Sequence, residues 1–259
     1  MKNNNKFRLD VWGAITLGTI ALYALFLLYP MAYLIRQSVL DPDTGGFTLA
    51  YFTKFFSKSY YFDTLINSFK VSITATVLSI AIGTPLAYLF TIFKIKGKSV
   101  LNILIVVASM SAPFIGAYSW ILLLGRSGVI TAFFKNLGIA IPDIYGFGGI
   151  VLVMTLQLFP LVFLYAKGAL KNIDNSLIEA AENLGCSGIA CFFKVVVPLI
   201  MPTLLAAALL VFMRSFADFG TPMLIGEGYR TFPVVLYTEF INEVGGSDGF
   251  AAADRKSTR

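Results

Sequence analysis

Five apolar stretches, each long enough to cross a lipid bilayer, dictate what this chain can become. They run from about Val11 to Ile35, Val71 to Phe93, Leu101 to Leu124, Gly148 to Ala166 and Leu199 to Ile225. A hydrocarbon core about 30 Å thick needs about 20 apolar residues at a helical rise of about 1.5 Å each. None of the five alternates with period two, which argues against an outer-membrane barrel. Composition agrees: the 259 residues are 57% hydrophobic and 13% charged, about half the charge of an average soluble domain. Disorder and an ordinary soluble enzyme are excluded. The net charge of +6 is scattered between apolar runs and forms no basic stripe, so no nucleic-acid partner is expected. With no His in the chain, His-based acid/base chemistry and His-ligated metal sites are excluded. Cys186 and Cys191 are too few for a disulfide framework and read as reduced cytoplasmic thiols. The expected fold class is all-α, a polytopic membrane helical bundle whose main partner is the lipid bilayer.

Charge gives the orientation. Lys2, Lys6 and Arg8 precede the first run, which is too long for a cleaved signal peptide and lacks a small-residue cleavage site. Lys94, Lys96 and Lys98 crowd the second link, and Lys167, Lys171 and Lys194 lie between the fourth and fifth spans. Alternation puts these segments on one side, and the positive-inside rule makes it the cytoplasm, with a cytoplasmic N-terminus. The bias is modest, because Arg36, Lys54, Lys58, Arg126 and Lys135 fall on the other side. There the aromatic group Tyr51, Phe52, Phe55, Phe56, Tyr60, Tyr61 and Phe62 suits an interfacial helix or belt. Seven prolines (Pro30, Pro85, Pro113, Pro160, Pro198, Pro202 and Pro222) lie in or at the ends of spans. Broken helices accompany substrate paths, although proline is frequent in membrane helices generally.

The link 172–198, NIDNSLIEAAENLGCSGIACFFKVVVP, is too polar at its start to span. It reads as two short helices. Ser176 and Glu179 have the spacing of a capping box. Leu177, Ile178, Ala181 and Leu184 share one face, and Gly185 stands where a helix ends in a left-handed residue. Ser187 can cap the second helix, with Ile189, Phe192, Phe193 and Val196 on its apolar face and Pro198 closing it. Such an element fits a groove on a cytoplasmic partner and can transmit rigid-body motion.

These residues also resemble a known signature. Glu179, Ala180 and Ala181, then Gly185, then Val195, Val197 and Pro198 follow the pattern EAA, three residues, G, nine residues, I-x-L-P. It is the loop of permease subunits of binding-protein-dependent ABC importers; Val replaces both aliphatic residues here. The likeness runs from about Phe47 to Ala253 and includes NSFKVSITATVLSIAIGTPLAYLF at 67–90. It implies the importer permease fold, with residues 1–253 forming the transmembrane domain, five full spans and the start of a sixth. In that family the loop docks on a separate ATP-hydrolysing subunit, so Glu179, Ala180, Ala181, Gly185 and Pro198 are expected to couple to it. This chain has no G-x-x-x-x-G-K-[ST] phosphate loop. It is therefore expected to be a transport subunit rather than an enzyme. No cofactor or metal is expected in this chain, since ATP and Mg would be held by the partner. The other implied partners are an extracytoplasmic substrate-binding protein and a second permease unit, fused or separate, in a bacterial inner membrane.

The fifth run carries VFMRSFADFGTPMLIG at 211–226. Arg214 and Asp218 are four apart, on one side of a continuous helix. A charge at mid-bilayer costs about 2.5–3.5 kcal/mol on insertion scales, so the two read either as a structural ion pair or as part of a translocation path. Gly220, Thr221 and Pro222 are expected to break the helix beside them. ADFGTPMLIG and the following YRTFPVVLYTEFINEVGG resemble the N-terminal half of ferric-iron importer permeases. The substrate implied first is ferric iron; polyamine, thiamine and aminophosphonate permeases have related stretches. An ATP-independent channel or secondary transporter is the rival class, but neither needs the coupling loop. Gly249 to Ala253 opens like a sixth apolar helix, and DRKSTR at 254–259 back-translates to a string resembling a sequencing-library adaptor. The expectation is a native chain that continues past Ala253, with 254–259 a non-native tail.

Overall fold

A computed structural model describes residues 11–40, 46–49, 53, 56–93, 96–110, 112–139, 142–186 and 188–244. These residues are helices and connecting turns, with a single isolated β-bridge, Leu40 to Phe47. The chain divides into two compact units, Met1–Phe62 and Asp63–Arg259.

In the first unit, α1 (Val11–Tyr23) runs through a π-helical turn, Ala24–Leu28, into α2 (Tyr29–Val39). The wide turn has a cause in the sequence. A proline ring collides with the carbonyl four residues back in α geometry. Ahead of Pro30 the Tyr29 N–H reaches one residue further, to the Ala24 carbonyl, and the turn opens. Proline is thereby absorbed without ending the helix.

The second unit continues α3 (Ser59–Ile92) and adds α4 (Lys98–Ser109), α5 (Pro113–Leu124), α6 (Val129–Asn136) and α7 (Phe147–Lys171). Then come α8 (Asn175–Asn183), α9 (Gly188–Cys191), a second π turn at Phe192–Val196, α10 (Val197–Ala217), α11 (Gly220–Ile225) and α12 (Phe232–Val244). Helix α7 is the centre. Against its first half pack Val71, Ala75, Ala117, Ile144 and Ile225 around Ile150–Met154. Against its second half pack Ala87, Phe90, Phe192, Val196 and Ile200 around Val162–Leu170. Lipid supplies little hydrophobic drive between helices, so close contact depends on small residues. Helix α3 provides them: Ser68, Ser72, Ala75, Ser79, Gly83 and Ala87 are all buried on one stripe. At Gly83 a Cβ would stand 2.9 Å from the Phe159 carbonyl oxygen and 2.9 Å from the Val162 Cβ. The two helices touch there because the side chain is missing.

Among the described residues five helical stretches are long and apolar enough to cross a membrane: Val11–Arg36, Ser59–Ile92, Phe114–Asn136, Phe147–Lys171 and Phe192–Ala217. Their number matches the expectation but several bounds differ: the second begins at Ser59 rather than Val71, and the fourth runs on to Lys171 rather than Ala166. The expected third span, 101–124, is broken after Met110: α4 stops at Ser109 and α5 begins at Pro113. Pro113 lacks the N–H that would continue α4, and the residue before a proline disfavours α geometry; Ala112 is extended, with φ −70° and ψ 141°. The stretch Phe114–Asn136 is itself turned at Gly125–Gly128. The fifth span ends at Ala217 rather than Ile225. Of the aromatic group expected at the interface, Tyr60, Tyr61 and Phe62 form the first turn of α3; Tyr51, Phe52 and Phe55 lie outside the described residues. So do the expected start of a sixth helix and the 254–259 tail.

Candidate functional site

Two places in the second unit carry the chemistry singled out above, the 172–198 element and the break after α10. The first lies beyond the lysine-bearing end of α7. At that end Lys167 donates from Nζ to the Asn102 amide oxygen of α4. The far end of α7 is tied to different loops: the Gly146 N–H donates to the Ile225 carbonyl over 2.9 Å. Nearby, Arg126 donates from Nε to Asp143 over 3.0 Å and from Nη2 to both Glu227 oxygens over 2.7 Å. The start of α4 and the 167–186 segment thus stand at the opposite end of α7 from Arg126.

The start of α8 differs from the expected capping box. Asp174, not Ser176, is the capping residue: its Oδ1 accepts the Ser176 N–H over 3.0 Å. That donor is the one a capping-box Glu179 needs, and it is already taken. The two hydrogen bonds from Ser176 hold the Asp174 carboxyl below its ordinary value. Glu179 is left exposed, with Ala180 exposed and Ala181 half-buried. The end of α8 is as expected. Gly185 has φ +84°, and the Cys186 N–H donates back to the Ala181 carbonyl over 3.0 Å. This is the six-to-one bond of a Schellman turn. Ser187, the expected cap of the second helix, lies outside the described residues.

Pro198 does not close that helix. The segment from Gly188 runs through the π turn directly into α10, and Pro198 sits in its first turn, exposed. The cause is the one seen at Pro30: the Val197 N–H reaches the Phe192 carbonyl and clears the ring. The expected shared apolar face also divides. Phe192 and Val196 are buried, whereas Phe193 is 63% exposed. The Phe192 ring packs 4.6 Å from Tyr88 of α3, centroid to centroid. The 188–196 segment is therefore fastened to the membrane core, while the outer surface of α8 is open: Leu177 is 50% and Leu184 89% exposed. Neither Tyr88 nor Asp174 was anticipated from sequence. An acid directly before Asn-Ser and an apolar helix was the available signal for the latter.

At the second place α10 stops and Asp218 becomes extended, with φ −73° and ψ 122°. Its carboxylate turns forward. Oδ1 accepts the N–H of Gly220 over 2.9 Å and of Thr221 over 3.4 Å, and Oδ2 accepts the Thr221 hydroxyl over 2.6 Å. The Asp218 carboxylate thus holds the first two residues of α11, whose N-cap is Phe219, and among the described residues no ion pair joins it to Arg214. The expected shared helix face does not form because the helix ends between the two. Both residues still border one cavity of about 480 Å³. Ser109, Phe114, Gln157 and Phe219 contribute to its wall. Gln157 escaped the sequence reading, although an amide in an otherwise apolar span is itself a signal. Its Nε2 is buried without a partner.

With the geometry in place, the chain can be set beside known proteins. It is 28% identical over 220 residues to the "Putative ferric transport system permease protein FbpB 1" of Haemophilus influenzae, covering 84% of this chain and 34% of that protein. A "Ferric transport system permease protein FbpB" of Actinobacillus pleuropneumoniae is 28% identical over 240 residues, covering 92% and 34%. The "Spermidine/putrescine transport system permease protein PotB" of Haemophilus influenzae is 28% identical over 232 residues, covering 86% and 79%. The chain therefore spans about a third of the ferric relatives' length. Among solved structures, a bacterial alginate ABC transporter in complex with an alginate-bound periplasmic protein superposes with a TM-score of 0.71 at 16% identity. It covers 91% of this chain and 84% of that one, and shows a common fold. The family model described as "Binding-protein-dependent transport system inner membrane component" matches residues 46–247. The chain belongs to that family of membrane permeases.

Proposed function

We propose that the 172–198 element couples this permease to a separate ATP-hydrolysing subunit, and that the membrane helices around the Arg214–Asp218 cavity form the translocation path. The observation that carries the first part is the division of labour in the element. Glu179 and Ala180 stand exposed on α8 beside unpartnered apolar side chains, while Phe192 and Val196 are buried against α3 and α7. A push on α8 would reach the core through two packed side chains and a helix continuous with α10. Interiors packed this way transmit displacement rather than absorb it. The cycle would be alternating access: a binding protein delivers cargo outside, and ATP-driven closure of the partners moves α8 and rocks the permease halves. The N-terminus is cytoplasmic in this reading.

The substrate proposed first is ferric iron, supported by the likeness to the two ferric permeases. A polyamine is the second reading, favoured by the spermidine/putrescine permease, of which this chain covers a larger share. Substrate choice would rest largely with the binding protein. The test is co-purification of the ATPase together with uptake by Glu179→Lys. We expect the variant to insert normally and to lose both stimulated ATP hydrolysis and uptake. Normal uptake by Glu179→Lys overturns the coupling role; transport without any ATPase points to a channel or secondary transporter.

A further inference from the structure

Helices α5 and α11 are pinned together at both ends. At the cavity, Phe114 of α5 lies edge to face with Phe219, the N-cap of α11, with ring centroids 5.1 Å apart, and both residues border the cavity. At the other end, Arg126 stands just past α5 and Glu227 just past α11. The Arg126 Nη2 donates to both Glu227 oxygens over 2.7 Å. Its Nε donates over 3.0 Å to Asp143, in the approach to α7, and its guanidinium lies 4.8 Å from the centre of the Tyr145 ring. One side chain thus gathers the ends of three elements. Between cavity and tie lies only α11, six residues or about 9 Å of helix. Ala117 of α5 and Ile225 of α11 are fully buried in one cluster with α7, so the seam between the two helices is packed shut.

The tie differs from an ordinary surface pair in strain and in its likeness to a fastening. Glu227 is the one non-glycine residue with positive φ among the described residues, at +41°. Strain of this kind persists only where the surroundings impose it, and it gathers at sites that switch. Gly or Asn would suit this backbone better, but neither offers Arg126 a carboxylate. The three side chains are 62%, 45% and 47% exposed for Arg126, Asp143 and Glu227. Ion pairs open to water contribute little to folding stability, so this one can break while α5 and α11 stay folded.

We propose that Arg126 is a latch. While it holds Glu227 and Asp143, α5 and α11 close the cavity toward that end; its release lets them part and opens the cavity there. The inference rests on the reading of the cavity as part of the translocation path and adds the group that controls entry to it.

The test uses the assembled importer in sealed vesicles, with Cys186→Ser, Cys191→Ser and, in the cavity wall, Ser109→Cys. A membrane-impermeant maleimide is added on the Arg126 side, which is identified by the reactivity of Ser127→Cys, exposed beside the latch. R126Q, E227Q and E227G should each speed labelling at position 109 by roughly three- to tenfold, the combined worth of exposed ion pairs and a cation–π contact. R126Q/E227Q should be no faster than R126Q, because both changes remove one bond. Raising the salt should speed labelling of the wild type and leave R126Q unchanged, since screening weakens exposed pairs. E227G accepts the positive φ, so it should keep the unfolding midpoint while labelling faster, which a merely structural role would not produce. Equal labelling in all variants, additive effects in the double variant, or acceleration confined to variants with a lowered midpoint each overturns the latch. Uptake and binding-protein-stimulated ATP hydrolysis are read on the same vesicles. Their absence from the wild type removes the importer reading, and the labelling rates still decide the latch.

Discussion

Replacing Gly185 separates two explanations for a glycine at the end of α8. The residue lies at φ +84°, and a Cβ built there meets nothing within 4 Å. Space within this chain is therefore not the constraint; backbone conformation is. An L-residue in the left-handed region costs about 1–2 kcal/mol, with Asn less penalised than Ala and a β-branched residue penalised most. That is a factor of roughly five to thirty in the population of the closed turn. The series Gly185→Asn, Gly185→Ala and Gly185→Val should fall in that order. The turn has its own reporter, because the Cys186 N–H bonds to the Ala181 carbonyl over 3.0 Å. Hydrogen exchange at Cys186 should accelerate by roughly five- to thirtyfold in Gly185→Ala, and stimulated ATP hydrolysis in the reconstituted importer should decline in parallel. The reasoning is refuted if all three variants are equally inactive while the Cys186 amide stays protected. That result would mean that Gly185 makes room for a partner.

Phe192→Ala should lower the stability of the purified chain by about 3 kcal/mol, the usual loss for a buried Phe, whereas Phe193→Ala should shift the unfolding midpoint little; equal effects would contradict their different burial. Gly83→Leu should destabilise by about 1–3 kcal/mol through overpacking, because its Cβ would stand 2.9 Å from the Phe159 oxygen; unchanged thermal unfolding in detergent would place α3 and α7 further apart. The Asp174 carboxyl titrates below its ordinary 3.8, so its cap is intact above that pH and is lost as pH falls through the depressed folded value. The Ser176 amide chemical shift should follow that titration, and Asp174→Asn, which keeps an acceptor, should abolish the pH dependence.

The class of fold was legible in the one-dimensional pattern. Apolar runs of bilayer length, lysine-rich links and the spacing of Glu179, Gly185 and Pro198 are properties of sequence distance, and sequence distance is preserved in helices. Gly185 shows how far this goes: its left-handed φ is a local demand that a single residue type answers. Helix ends were less legible where two local rules compete. Pro113 ended a span as its chemistry requires, yet Pro30 and Pro198 did not end theirs, because a π turn moved the preceding hydrogen bond out of the ring's way. Asp174 and Ser176 were both competent caps, and only the entry of the chain after α7 selected Asp174.

What the sequence determined by itself was therefore the helical class, the number of apolar spans and the left-handed turn at Gly185, since each rests on neighbours within about one or two turns. The tertiary structure alone decided that Phe192 is an anchor and Phe193 is not, because burial depends on Tyr88, distant in the chain. It alone placed Gln157, Ser109 and Arg214 around one cavity and turned the Asp218 carboxylate toward Thr221. Adjacent residues look alike to a periodicity, whereas a buried site is made of groups whose separation in sequence carries no record of their distance in space.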